Sequence, residues 1–307
     1  MLFQQKFRVT GNDSGKYKVS ITAIDGKLTI TKRPLVVKTA SAEKEYDGTP
    51  LTNPNASLEG LVSGENATVI ATGSQTQFGE SDNTYSINWD SAKQNNYSLT
   101  EKLGKLKVIT NSSTSIVFTA ETKEKTYDGK PLTGEMVTAE GIPTGLTFTA
   151  TASGRQTNAG SSPNQVSGYQ IKDAAGNDVT NCFTNISKVD GTLLVNKRLL
   201  TIITPSADKT YDSKPLTAEG TCTGLVGGET VTFKTTGTQT EVGSSSNTYT
   251  LTFDGTALQT NYKIDEKLGT LTVKESDTEI VVTTTGGEYT YDGKPHGASV
   301  TVSTFFR

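Results

Sequence analysis

Lys44-Glu45-Tyr46-Asp47-Gly48-Thr49-Pro50-Leu51-Thr52 returns in this chain as Lys125-Thr126-Tyr127-Asp128-Gly129-Lys130-Pro131-Leu132-Thr133, and again as Lys209-Thr210-Tyr211-Asp212-Ser213-Lys214-Pro215-Leu216-Thr217. A fourth copy, Tyr291-Asp292-Gly293-Lys294-Pro295, follows. The tyrosines at 46, 127, 211 and 291 are 81, 84 and 80 positions apart, so a unit of about 80 residues repeats. A second marker closes each unit: Asp25-Gly26-Lys27-Leu28, Leu103-Gly104-Lys105-Leu106, Asp190-Gly191-Thr192-Leu193 and Leu268-Gly269-Thr270-Leu271. Two independent markers at one spacing establish tandem repeats.

The repeats alternate between two types. Gly73-Ser74-Gln75-Thr76 matches Gly237-Thr238-Gln239-Thr240, Asn83-Thr84-Tyr85 matches Asn247-Thr248-Tyr249, and Asn96-Tyr97 matches Asn261-Tyr262. Residues 32–109 and 198–274 therefore form one type, A, and 110–197 a second type, B. The motif Gly11-Asn12-Asp13 returns at Gly176-Asn177-Asp178, which makes 1–31 the C-terminal part of a B repeat. Residues 275–307 read as the N-terminal part of another. The ends thus read as cut repeats, and the alternative they raise is that copies complete each other head to tail, although roughly 20 residues of a whole B repeat are supplied by neither.

Within a unit the hydrophobic period is two. Tyr85, Ile87 and Trp89 share one face of a strand, as do Tyr249, Leu251 and Phe253; Leu106 and Val108 face inward from another. Leu35-Val36-Val37 and Leu200-Thr201-Ile202-Ile203 read as opening strands. Clusters such as Gly79-Glu80-Ser81-Asp82-Asn83 read as punctuation between strands. In the opening motif Tyr packs inward, Asp and Gly make a turn, and Pro suits a strand edge. No stretch carries a helical apolar stripe. The expected fold is all-β, a tandem array of small Ig-like sandwiches, with β-grasp-like units as the alternative that would need a helix.

Composition narrows the function. Only 33% of residues are hydrophobic and roughly one in six is Thr, which suits pleated, half-wet surfaces. A net charge of −3 without a basic stripe argues against nucleic-acid binding. No apolar run reaches the roughly 20 residues that span a bilayer, and Met1–Arg8 carry no secretion-type apolar core. A lone histidine, His296, argues against a histidine-based triad or a His metal cluster, and it stands where the motif has Leu. Cys182 and Cys222 read as small apolar residues rather than a disulfide. An enzyme is not expected, and no cofactor or metal site is called.

The motifs resemble the repeat families called MBG (mostly beta, glycine-rich) and YDG domains. The resemblance rests on Lys44 to Leu51, Gly60-Leu61-Val62-Ser63-Gly64-Glu65, Asn96-Tyr97 and Gly104 to Val108. It rests equally on Lys209 to Leu216, Gly224-Leu225-Val226-Gly227-Gly228-Glu229, Asn261-Tyr262 and Gly269 to Val273. The B repeat departs from the pattern: Asn181-Cys182-Phe183 stands for Asn-Tyr, and Gly-Leu-Val shrinks to Gly145-Leu146. The resemblance implies a stalk or spacer in an extracellular bacterial surface protein, with its signal peptide, anchor and tip outside this fragment. Expected partners are the neighbouring repeats, and as alternatives a host glycan or protein, or copies of the chain joined through the end repeats. No membrane contact by this segment is expected.

Four constellations invite chemistry. Lys44, Asp47 and Asn96, then Lys125, Asp128 and Asn181, then Lys209, Asp212 and Asn261 could form intramolecular isopeptide bonds, if the Asp were buried and its pKa raised. The alternative is an edge-strand lysine and a turn asparagine. Glu275, Asp277 and Glu279 form the only acidic cluster near a junction, and read as a solvated face. Trp89 could offer a sugar platform, but its alternating face favours the core. Lys32-Arg33-Pro34 and Lys197-Arg198-Leu199 are short basic junctions without a Gly/Ser linker, which predicts stiff stacking.

Overall fold

The computed structural model describes residues 26–277 and 279–305. The tail of the first B repeat, including Gly11-Asn12-Asp13, lies mostly outside the described residues. The fold is all-β, a tandem array of small Ig-like sandwiches. Among the described residues the only helical pieces are three single turns of 3-10 helix, at Gln94–Asn96, Thr180–Cys182 and Gln259–Asn261. The β-grasp alternative therefore lacks its helix in the described repeats, and among the described residues no helix is long and apolar enough to cross a membrane.

Each sheet draws its strands from one repeat. In the first A repeat, Arg33–Thr39 pairs antiparallel with Ala56–Glu59 and parallel with Tyr97–Lys102. A second sheet has Lys105–Ile109 between Ala42–Glu45 and Gly79–Asp82, and Thr68–Ala71 forms a ribbon with Tyr85–Asn88. The other A repeat reproduces this plan around Arg198–Ile203 and Thr270–Lys274. In the B repeat one 13-residue strand, Gly160–Lys172, replaces two, with a bulge opposite it at Thr151/Ala152 that lets a four-stranded sheet form. Beyond it, Glu279–Thr285 pairs with Ser299–Phe305.

Alternation supplies the cores. Leu35, Val37, Leu106 and Val108 are fully buried in the first A repeat, as are Leu200, Ile202, Leu271 and Val273 in the other. Lys105 and Lys107 take the outer face of their strand. Each buried aliphatic contributes about 1.5–3 kcal/mol. Trp89 belongs to the core cluster of Leu35, Ala92 and Tyr97, stacked on Tyr97 at 5.9 Å, and is no sugar platform.

The first and last strands of a repeat each pass from one sheet to the other, and the closing glycine marks that crossing. A Cβ on Gly104 would lie 2.3 Å from the Ala40 carbonyl carbon, one on Gly269 2.2 Å from that of Pro205, and one on Gly191 2.1 Å from the Glu121 carbonyl oxygen. A buried asparagine ties the crossing. Asn83 donates to the Ala40 and Asn53 carbonyls, and Asn247 to those of Pro205 and Ala218. The Gly79–Asn83 stretch is thus a strand followed by a core residue, not punctuation. Glu80 and Asp82 face out and Ser81 faces in along the edge of a sheet, where a polar strand remains hydrated on one face.

By contact the chain divides into two units. One holds the residues up to Lys44 with Pro50–Val108; the other holds Glu45–Thr49 with Ile109 onward. The Tyr46 turn therefore belongs with residues beyond its own repeat.

Candidate functional site

The second unit shows what the Tyr-Asp-Gly turn does. Lys125 donates to Asp128 at 2.5 Å and to the Lys130 carbonyl, while the Lys130 amide donates to Asp128 at 2.9 Å. Gly129 closes the turn at φ 76°, a left-handed conformation that glycine adopts without strain. This small scaffold presents Tyr127 outward from repeat B, and its ring is buried by the following A repeat. Tyr127 meets Tyr262 edge-on at 5.8 Å and donates its hydroxyl to Glu229 Oε1 at 2.5 Å. Tyr262 donates to Oε2 of the same carboxylate and accepts the Val226 amide at 2.9 Å.

Two markers of the A repeat, the 224–229 loop and the Asn261-Tyr262 pair, meet at this socket. Gly224 and Gly228, at φ 108° and 87°, shape the loop that carries Val226 and Glu229, and Arg198 Nε donates to the Gly224 carbonyl at 2.7 Å. A Cβ on Gly129 would come within 3.0 Å of Val226, so the turn glycine also permits close approach. Asn261, fully buried, accepts the Ala159 amide at 2.8 Å and donates to Asn158. Burial, then the bond to Glu229, pushes Tyr262 up to about 12 and raises Tyr127 as well. Only Lys197 separates the last strand of B, Gly191–Asn196, from the first of A, Arg198–Ile203.

The Tyr46 turn meets a different socket. Tyr46 is fully buried, edge-on to Phe183 at 5.8 Å, and the Tyr46 carbonyl accepts Asn111 Nδ2 at 2.8 Å. A Cβ on Gly48 would touch Leu146 at 3.0 Å. The amide of Leu146 closes the same turn, onto Pro143, that the amide of Glu229 closes onto Val226. Gly141-Ile142-Pro143-Thr144-Gly145 is therefore the complete counterpart of the Gly-Leu-Val loop, and Leu146 replaces the glutamate. Likewise Cys182, last residue of its 3-10 turn, holds the position of Asn96 and Asn261, so the expected Asn181 is one place out of register. With Phe183 and Leu146 supplying no acceptor, the Tyr46 hydroxyl is buried without a hydrogen-bond partner among the described residues.

The isopeptide grouping is only half assembled. Lys209 lies 2.5 Å from Asp212, as Lys125 does from Asp128, but the asparagines are not with them. Arg198 pairs with Tyr262 and Thr210 with Lys274, so Asn261 stands at the entry end of its repeat and Lys209 at the exit end. Twelve strand residues separate the two pairs, on the order of 30–40 Å. Register places Asn96 and Lys44 at opposite ends of the first repeat in the same way, with Asp47 bonding the Thr49 amide. Asp128 and Asp212 are held below the usual carboxylate range by their lysines and then by backbone amides, the opposite of what the bond-forming chemistry needs. Asparagine and tyrosine from successive repeats meet instead.

Other expected sites are plain. Cys182 and Cys222 are free and half-buried, their thiols pushed up by burial. Glu275 and Asp277 join no group of three or more metal-ligating side chains among the described residues; the side chain of Glu279 lies outside them. His296 does more than replace a leucine. It bonds Asp292 at 2.9 Å and stacks on Tyr289 at 4.1 Å, so it grips the turn aspartate where Lys125 does so in repeat B. Tyr289 stands in the lysine position of this copy, and His296 has taken over the lysine's bond.

The sheets and these junctions define the class, a tandem β-sandwich repeat protein. No protein-family model and no curated protein matches the chain. Among solved structures it is similar to the crystal structure of Down Syndrome Cell Adhesion Molecule (DSCAM) isoform 1.30.30, N-terminal eight Ig domains, at 10% identity and a TM-score of 0.17. The match covers 89% of this chain and 45% of that chain, so this chain spans less than half its length. At that score the likeness carries no argument about function.

Proposed function

We propose that the chain is a run of structural spacer repeats from an extracellular bacterial surface protein of the adhesin type, of the MBG/YDG kind, and that it performs no catalysis. The observation that carries this reading is the Tyr127–Glu229–Tyr262 cluster, which locks repeat B to the A repeat after it. A spacer must hold direction from one unit to the next. A flexible linker cannot do that, whereas a one-residue connection beside a buried aromatic contact can. The marker residues are spent on this contact and on the turn that presents it. The motif resemblance supports the surface location, with tip and anchor belonging to other parts of the protein.

The test is exposure on the cell. Antibodies raised against residues 110–274 should label intact bacteria, and external protease should remove the label; a strictly cytoplasmic signal overturns the reading. A second reading, a module for a host glycan or protein, draws on a groove of about 550 Å³ on the third repeat, lined by Tyr249, Leu251, Phe253, Gln259, Ile264 and Glu266. Glycan-array binding that is lost in Tyr249→Ala would favour it over the spacer.

A further inference from the structure

Each whole repeat ties its N-terminal strands to its C-terminal strands by parallel pairing. In the third repeat the first strand, Arg198–Ile203, runs beside Tyr262–Lys267, from Arg198 opposite Tyr262 to Ile203 opposite Lys267. The next strand, Ala207–Thr210, runs beside the last, Thr270–Lys274, in the same parallel sense. Repeat B pairs Ile116–Ala120 with Ile186–Val189, and Lys123–Thr126 with Gly191–Asn196, likewise parallel. The first A repeat pairs Arg33–Thr39 with Tyr97–Lys102. The chain therefore enters a repeat at one end of these ladders and leaves it at the other. Tension drags the first strand back toward the entry and the last strand on toward the exit, along the strands. The bonds of a parallel ladder are evenly spaced, so they share that pull and must break together, whereas a pull across the strands breaks them pair by pair. The Tyr127–Glu229–Tyr262 contact sets direction between repeats and does not call for this arrangement.

In the first ladder of each repeat the later strand is the edge of its three-stranded sheet, and so the strand most easily peeled away. Each repeat fastens it with a tyrosine from outside that sheet. Tyr85 donates to Glu101 at 2.6 Å and Tyr249 to Glu266 at 2.5 Å. Register places Glu101 opposite Val37 and Glu266 opposite Ile202. Repeat B has Lys188 at this position, opposite Phe118. The Lys188 ammonium lies 5.2 Å from the ring centroid of Tyr169, a cation–π contact, and donates to the Val166 carbonyl at 3.3 Å. The charge is reversed from one repeat type to the other, yet a tyrosine holds the same strand in both.

We propose that the repeats are load-bearing: each whole repeat resists tension along the chain through parallel ladders pulled in shear, with a tyrosine tie on the edge strand of the first ladder. The array is then a tether that stays folded under pull as well as a spacer that sets distance. Resistance of this kind is a matter of unfolding rate, because forced unfolding is governed by the barrier and not by equilibrium stability. The proposal rests on the spacer reading for where the load comes from.

Single-molecule force spectroscopy of the full chain tests it, with Cys182→Ala and Cys222→Ala in every sample so that only the added handles react. Held by its two ends, the chain should unfold in three main steps, each lengthening it by roughly 200–300 Å, the extended length of one repeat less its folded span. Held instead through Leu199→Cys and Lys263→Cys, the third repeat is pulled across its strands. Those two residues stand opposite each other in the first ladder and are both exposed, so the fold tolerates the handles. This repeat should then open at a lower force than any of the three end-to-end steps at the same loading rate. Tyr249→Phe removes one bond to a carboxylate and should shorten the lifetime of one repeat under constant end-to-end pull by about tenfold. An end-to-end force equal to or below the cross-strand force overturns the proposal, and an unchanged lifetime in Tyr249→Phe strikes the tyrosine tie from it. Neither result depends on where the chain is found, so this test can fail while antibody labelling of intact cells succeeds, and the reverse.

Discussion

The hydroxyl of Tyr127 lies 2.5 Å from a carboxylate oxygen of Glu229, a residue 102 positions further along the chain and in the next repeat. Tyr262 takes the other oxygen, so one carboxylate is shared by tyrosines of two repeats. Short bonds to a carboxylate in a half-buried site are among the stronger hydrogen bonds a protein makes. Tyr127→Phe should therefore lower the unfolding free energy of the second unit by about 1.5–3 kcal/mol, read as a shift in the urea midpoint at unchanged slope.

Tyr46→Phe should behave in the opposite way. Its hydroxyl is buried beside Phe183 and finds no acceptor. Removing an unpaired polar group from an apolar site leaves stability unchanged or raises it by about 1 kcal/mol. A loss as large as that of Tyr127→Phe in the same urea titration would contradict the account of two chemically distinct sockets.

Ser213 is the one non-glycine residue with positive φ among the described residues, at 65°, in the slot that Gly48, Gly129 and Gly293 occupy elsewhere. A Cβ in this conformation costs about 1–2 kcal/mol, partly offset by the lower chain entropy of serine when unfolded. Ser213→Gly should raise stability by about 0.5–1 kcal/mol in calorimetry.

Gly269→Ala should cost at least about 3 kcal/mol, because the new methyl would overlap the Pro205 carbonyl, backbone that cannot move without breaking the crossing held by Asn247. Gly227→Ala, where a Cβ meets nothing, is the control and should stay within about 0.5 kcal/mol of the parent.

Stability should fall at alkaline pH. Tyr85 and Tyr262 are pushed up to about 12, by burial first and then by bonds to Glu101 and Glu229; Tyr249 reaches about 12 through its bond to Glu266 and then burial. In the unfolded chain tyrosine ionises near 10. The folded state therefore holds protons that the unfolded state releases between about 10 and 12. The stabilisation is complete below 10 and is lost as pH rises through 12. Phenolate absorbance should lag behind that of the urea-unfolded chain over this interval.

Much of this was legible in the residues. The 80-residue period, the two alternating types, the strand faces of Leu35, Leu106 and Tyr85, and the burial of Tyr46 and Tyr127 all follow from local pattern. A period of two fixes which side chains leave water, and glycine in a turn marks where the backbone needs φ > 0. Pattern cannot say what a buried side chain packs against. Tyr127 reads as a core residue of its own repeat because burial is all the sequence reports, whereas its partner lies 102 positions away in a contact set by how two repeats stack. The offset of Cys182 and the hidden equivalence of Leu146 with Glu229 escaped for a related reason, since alignment by residue type fails where the type has changed and only hydrogen-bond register shows the shared position. The lysine and asparagine markers, paired as a possible bond on sequence grounds, lie apart in space, because strand register sends one to each end of the sandwich. What the sequence determined by itself was the repeat, its all-β character and the tyrosine turn; the tertiary structure alone decided that the turn is a knob for the next repeat, since only the stacking of two folded surfaces brings Tyr127, Tyr262 and Glu229 together.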